Sequence, residues 1–219
     1  MGKHKLQRFA ENLTFPNLLQ VSFETLESEG FHWYGRWNEF FGNDNPITIE
    51  LGCGKGEYTI ALAQQNKDHN HIGIDIKGAR MWRGAKTSNE QQLKNVAFLR
   101  TRIELINRFF SQDEVSEIWI TFPDPQPKKP MKRLTSPRFL ENYKHLLRPE
   151  GLIHLKTDSQ ELYDYTLNEV LIPDGHQVVY STSNLYDSNH LGMATAVQTF
   201  YEKMFLSQGK PITYICFKL

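Results

Sequence analysis

Glu50-Leu51-Gly52-Cys53-Gly54-Lys55-Gly56-Glu57 follows the apolar run Ile47-Thr48-Ile49 and opens a stretch with helical spacing. A β-rich run, a glycine turn and a helix, in that order, form the first βα unit of an open α/β sheet. Ligands of such sheets bind beyond the carboxyl ends of the strands. Glycine there lets the backbone turn tightly and come close to a ligand. The spacing is G-x-G-x-G, and Glu57 stands where a dinucleotide fold places its last glycine. The structural alternative for Gly52, Gly54 and Gly56 is a plain strand-to-helix turn.

The pattern around this turn alternates β and α. Apolar β-rich runs fall at residues 47–51, 71–76, 96–99, 117–121, 151–156, 176–180 and 211–219. Helical patterns fall at 57–65, 77–90, 136–147 and 159–170, and another at 193–206. Ser136-Pro137 and Asp158-Ser159 read as helix starts. The alternation predicts an α/β fold: a seven-stranded, mostly parallel sheet with helices on both faces. Residues 43–219 are expected to form this one domain. Residues 1–42, with Phe31, Trp33, Tyr34 and Trp37, are expected to pack on it as an irregular extension whose first ten residues are mobile.

Glu50 and Asp75 narrow the ligand. Asp75 ends the second run, Ile72-Gly73-Ile74-Asp75, where a carboxylate accepts hydrogen bonds from both ribose hydroxyls. Its structural alternative is a helix cap before Lys77. NAD and S-adenosylmethionine share that ribose. A second carboxylate at Glu50 would repel a pyrophosphate and attract a cation. S-adenosylmethionine carries a sulfonium and an ammonium and no phosphate, so the pair favours it.

A further segment points to chemistry on a polyanion. Thr121-Phe122-Pro123-Asp124-Pro125-Gln126-Pro127-Lys128-Lys129 follows the run Glu117-Ile118-Trp119-Ile120. Three prolines fix φ around Asp124. Lys128, Lys129, Lys132, Arg133 and Arg138 follow, with no acid between Asp124 and Glu141. The alternative is a solvated basic loop. The whole chain of 219 residues balances 25 Lys and Arg against 25 Asp and Glu. A neutral body with local basic clusters suits one defined nucleic-acid partner, not indiscriminate binding.

Two cysteines, Cys53 and Cys216, are too few for a disulfide scaffold. The eight histidines show no ligand spacing, so no metal is expected. The start has no signal-like apolar core and no run reaches membrane-spanning length, so a cytoplasmic protein is expected, with no membrane and no obligate protein partner, as a monomer or homodimer.

From Pro46 to the C-terminus the chain resembles the bacterial tRNA (guanine-N7-)-methyltransferases. Four blocks carry the resemblance: 50–56, Gly73-Ile74-Asp75, Phe122-Pro123-Asp124-Pro125 through Lys128-Lys129, and a C-terminal set. That set is Lys156-Thr157-Asp158, Thr199-Phe200-Tyr201-Glu202-Lys203 and Gly209-Lys210-Pro211-Ile212. The resemblance implies a class I, Rossmann-like methyltransferase that methylates N7 of the variable-loop guanine of tRNA and leaves S-adenosylhomocysteine. It implies that Glu50, Gly52, Gly54, Gly56, Asp75 and Asp124 line the cofactor site. It also implies that Lys128, Asp158, Thr199 and Glu202 meet the nucleotide, and that the basic segment with Lys132 and Arg133 lies on the RNA. Lys129 is expected on phosphate, and Tyr201 or Phe122 stacks on the base or is a core aromatic. Asp158 has a helix-cap alternative, and Thr199 with Glu202 a solvated-pair alternative.

Three positions depart from the family pattern. Gln126 stands where tryptophan is usual, and Pro130-Met131 where Arg and His are more common. Arg102 stands where an Asp or Asn usually meets the adenine, a role that Thr101 or a nearby backbone N–H would then take. Three other functions fit less well: a nucleobase amino-group methyltransferase, a nicotinamide-dependent dehydrogenase, and an RNA-binding module without catalysis. S-adenosylmethionine uptake separates the last from the enzymes. Asp124 is the expected catalytic residue.

Overall fold

The computed structural model describes residues 3–189 and 192–219. Its sheet grows from the βα unit read above. Ile47–Leu51 (β2) runs into Glu57–Gln65 (α4), and Asn70–Asp75 (β3) into Gly78–Glu90 (α5). Val96–Arg100 (β4), Val115–Thr121 (β5), Leu147–Thr157 (β6), Gln177–Thr182 (β7) and Thr213–Lys218 (β8) complete the expected strands. Pro137–Leu146 (α6) precedes β6, with Pro at its first turn, where no backbone N–H is lost.

Among the described residues the sheet has eight strands, not seven; with Leu18–Gln20 as β1, the order is β1-β4-β3-β2-β5-β6-β8-β7. The added strand is Leu18–Gln20 (β1), which pairs in parallel with β4. Three residues inside a polar and aromatic stretch carry no periodicity of their own, so only the β4 edge reveals them. β6 pairs with β8 and β8 with β7 antiparallel; the other pairings are parallel.

From residue 3 the segment before β2 forms several elements, contrary to the expected irregularity; residues 1 and 2 lie outside the described residues. Lys3–Asn12 (α1) lies on α5, with Asn12 Nδ2 donating to Gly78 O at 2.9 Å. Phe23–Ser28 (α2) and Trp37–Phe41 (α3) follow. Trp37 is fully buried, stacks on Phe110 at 5.3 Å and donates from Nε1 to Phe109 O at 3.0 Å. These aromatic side chains close one end of the main core.

Two expected helices are wound differently. Gln160–Asp164 (α7) continues as a π-helical segment, Tyr165–Leu171. Within it Thr166 Oγ1 donates back to Leu162 O at 2.8 Å, a contact that bends helices. Residues 193–206 break into Met193–Ala196 (α8) and Phe200–Ser207 (α9). The cause is the ammonium of Lys156, which donates to Ala194 O at 2.6 Å and Val197 O at 2.9 Å. Those carbonyls would otherwise accept within one continuous helix.

Candidate active site

The strand order reverses beside β2: the chain builds β3 and β4 on one side, then crosses to β5 and β6 on the other. The crevice at such a switch point is where open α/β sheets bind ligands. Here the carboxyl ends of β2 and β5 meet through side chains. Glu50, 3% exposed, accepts from Thr121 Oγ1 at 2.6 Å and from Thr59 N at 2.9 Å, with a short contact from Thr59 Oγ1. Burial raises its pKa to about 7, against the pull of these three bonds; Asp75 raises it further. Thr59 and Thr121 hold Glu50 in place, a role not legible from sequence, because threonine at a strand end or in a helix's first turn is unremarkable by type.

The glycine turn is shaped for a ligand. Gly52, Gly54 and Gly56 all have positive φ. A Cβ at Gly52 would meet nothing within 4 Å, so the space over the turn is open. Gly56 is required for packing as well, since a Cβ there would come within 2.4 Å of the Phe98 ring. Asp75 fastens the turn: Oδ2 accepts from Gly54 N at 2.9 Å and Oδ1 from Lys77 N at 2.8 Å. Contact with Lys77 N is part of the cap-like role weighed from sequence, and it leaves lone pairs on both oxygens.

Two clefts join at this turn. One is lined by Glu50, Gly52, Gly54, Tyr58, Phe122, Thr199 and Tyr201. The other is lined by Gly52, Asp75, Ile76, Thr101, Arg102 and Gln126. Carboxylates at Glu50 and Asp75, an open glycine cradle and an apolar side chain at Ile76 fit a cationic amino-acid portion, a ribose and a purine in that order. These residues therefore fit S-adenosylmethionine. Arg102 is exposed at the rim of the second cleft.

The Pro-Asp-Pro loop leaves β5 where the clefts join. Phe122 (φ 47°) and Gln126 (φ 46°) bracket it in left-handed conformations uncommon for such residues. Phe122 lines the first cleft and Gln126 the second; Asp124, between them in sequence, is exposed and lines neither cleft. Asp124 Oδ1 accepts from Gln126 N at 3.0 Å, which fixes its rotamer. Arg133 props the loop from behind. It is 3% exposed, donates from Nε to Pro125 O at 2.9 Å, pairs closely with Glu161, and lies 4.3 Å from the Tyr165 ring centroid. The expectation of Arg133 on RNA is corrected: its guanidinium is consumed inside the protein. Lys128, Lys129 and Lys132 are exposed.

The C-terminal set divides likewise. Ser159, not Asp158, caps α7, accepting from Leu162 N at 3.2 Å, so the Asp158 carboxylate is not used as a cap. Thr199 and Glu202 form a capping box: Thr199 Oγ1 accepts from Glu202 N at 3.2 Å, and Glu202 Oε2 from Thr199 N at 3.3 Å. Glu202 is 0% exposed, and its Oε1 lies 2.6 Å from Lys156 Nζ and accepts from Tyr186. Its carboxylate is turned away from the clefts, contrary to the expected nucleotide contact. Thr199 and Tyr201 do face the first cleft, and Tyr201 is 52% exposed. Among the described residues no cluster of three His, Cys, Asp or Glu is placed to hold a metal, and no helix is long and apolar enough to cross a membrane.

Comparison with known proteins agrees with this geometry. The family described as "Putative methyltransferase" matches residues 44–215. A tRNA (guanine-N(7)-)-methyltransferase of Christiangramia forsetii is 54% identical, covering 100% of this chain and 99% of the relative. One from Bacteroides thetaiotaomicron is 47% identical over 100% of this chain and 87% of its own length. Among solved structures, the 16S rRNA methyltransferase KamB superposes with a TM-score of 0.64 at 15% identity, covering 84% of this chain and 93% of that one. At that identity the likeness speaks for the fold alone, a class I methyltransferase fold. The switch-point crevice, the two carboxylates and the full-length relatives agree: the chain belongs to the tRNA (guanine-N7-)-methyltransferase family.

Proposed function

We propose that this chain methylates N7 of the variable-loop guanine of tRNA, with Asp124 as the catalytic carboxylate. The observation that supports this most is the Pro-Asp-Pro loop, whose Phe122 lines the cleft at Glu50 and whose Gln126 lines the cleft at Asp75 while its N–H holds Asp124 Oδ1. S-adenosylmethionine, when bound, supplies a methyl group on a sulfonium. Glu50, Gly52, Gly54, Gly56 and Asp75 hold that molecule, and Thr101 or a backbone N–H beside Arg102 meets its adenine.

Guanine N7 carries an in-plane lone pair and no proton, so no general base is required. The chain's task is to hold N7 in line at near-attack distance. The purine gains positive charge as the methyl arrives, and Asp124 stabilises that charge as it develops. Asp158, free of capping duty, accepts from guanine N1–H and the exocyclic amino group and rejects adenine. Tyr201 stacks on the splayed base, and Thr199 borders it. Glu202 acts as a positioning residue for Thr199 and Tyr201. Lys128, Lys129 and Lys132 hold phosphate. Two buried free thiols, Cys53 and Cys216, suit a reducing cytoplasm.

The test compares wild type with Asp124→Asn, using labelled S-adenosylmethionine and unmodified tRNA, with the product digested to nucleosides. Wild type yields 7-methylguanosine. The variant folds normally and its kcat falls about 10²–10³-fold, as for loss of one preorganised charge contact. Near-normal turnover in the variant removes Asp124 from catalysis.

A further inference from the structure

A second basic field lies beside the active site, on α1 of the N-terminal segment and on α5. α1 is held on α5 by Trp82, whose Nε1 donates to Glu11 Oε2 at 2.7 Å. The Arg8 guanidinium lies over the Trp82 ring at 4.8 Å, and the Lys86 ammonium is 5.0 Å from the same ring centroid. Glu11 is also 3.8 Å from Lys86 Nζ, so these two charges offset one another.

Glu11 also acts on Arg8, but the cations further along the groove have no such carboxylate beside them. A cavity of about 290 Å³ opens between α1, the glycine turn and α5; Arg8, Lys55, Arg80, Arg83, Trp82 and Glu57 shape it. That is room for many water molecules, so the groove is not limited to a single bound water. Four cations face one carboxylate, and Glu57 Oε2 already accepts from Phe200 N at 3.1 Å. Arg80 and Arg83 stand one turn apart on one face of α5, both exposed. Among the described residues neither has an ion-pair partner. Unpaired arginines held side by side present the planar donors that phosphate takes.

The place of this field decides its use. Lys55, Glu57 and Arg80 line this cavity and also the cleft that ends at Glu50 and Tyr201. Lys132, from the basic loop after β5, lines instead the cleft at Asp75 and Arg102. The two basic fields thus come to the reaction centre from different elements. A guanine splayed into the site has backbone on both sides of it, and fixing N7 in line requires holding both. We infer that Arg8, Arg80 and Arg83, carried by α1 and α5, form a second phosphate-binding track for the substrate RNA, paired with the Lys128–Lys132 loop. This rests on the tRNA methylation proposed above. It gives α1 a function: it brings Arg8 to the track and pins it on Trp82.

The track is tested by the salt dependence of tRNA binding to the full chain, together with the KM values for tRNA and for S-adenosylmethionine. Arg8→Glu/Arg83→Glu removes two phosphate contacts, so the log–log salt slope becomes shallower by about 1.4–1.8 and the KM for tRNA rises about tenfold. The KM for S-adenosylmethionine stays unchanged. Arg83→Glu alone, at an exposed and unpaired position, leaves the α1 packing intact and gives about half the change in slope. Arg148→Glu, at the opposite end of the sheet, changes neither quantity. Wild-type slope and KM in both Arg83 variants, with wild type binding and methylating tRNA, overturn the track and leave the proposed function standing. An equal effect from Arg148→Glu overturns it too, by reducing the result to net charge. A wild-type chain that neither binds nor methylates tRNA overturns both.

Discussion

At the scale of single residues, Glu50 carries the cofactor site's charge logic. It is buried against two threonines and its pKa is raised to about 7 from 4.5, chiefly by burial. A carboxyl with a raised folded-state pKa holds a proton that the unfolded chain releases. Its ionisation therefore weighs against folding as pH rises from about 4.5 to about 7, and not below that window. A cationic ligand reverses this, because it favours the ionised form. Binding of S-adenosylmethionine is expected to strengthen several-fold from pH 6 to pH 8, flattening above about 7, with proton release. Glu50→Gln removes the dependence and weakens binding throughout; calorimetric titration at several pH values reads both. A pH-independent affinity in wild type would take the cationic portion away from Glu50. Glu50 and Asp75 were legible because acids beside a glycine turn are unusual. Arg133 was not, since nothing in a run of five cations marks the one that turns inward.

At the scale of elements, one buried lysine shapes the C-terminal half of the site. Lys156, on β6, is fully buried, and its ammonium holds two carbonyls before α9 and the Glu202 carboxylate within α9. Burial lowers its pKa, and Glu202 opposes that shift. Lys156→Met leaves the buried Glu202 carboxylate without its countercharge and is expected to destabilise the fold by about 3–5 kcal/mol. Lys156→Met/Glu202→Leu recovers much of that stability, because apolar side chains replace the pair, but not the turnover, because Thr199 and Tyr201 lose their frame. Chemical denaturation with a parallel methylation assay checks this; full turnover in the double variant would separate the pair from the site. The strand and helix positions from β2 to α6 were legible from periodicity and turn chemistry. The break before α9 was not, because its cause is a side chain from a strand some forty residues earlier. β1 escaped for a related reason: three residues become a strand only against the β4 edge.

At the scale of the whole molecule, a neutral chain brings both signs of charge to one crevice. Two carboxylates face the ligand side, and basic side chains from the β5 loop and from α5 flank it. That distribution asks for a cationic small molecule and a polyanion at the same place, which is what methylation of RNA by a sulfonium requires. The measurement that tests this most directly is transfer of labelled methyl to one unmodified tRNA, mapped by strand cleavage at 7-methylguanine. The expected result is a single cleavage at the variable-loop guanine, with one methyl per tRNA. Methyl transferred without cleavage at any guanine would place the reaction on another atom of the base and contradict the account.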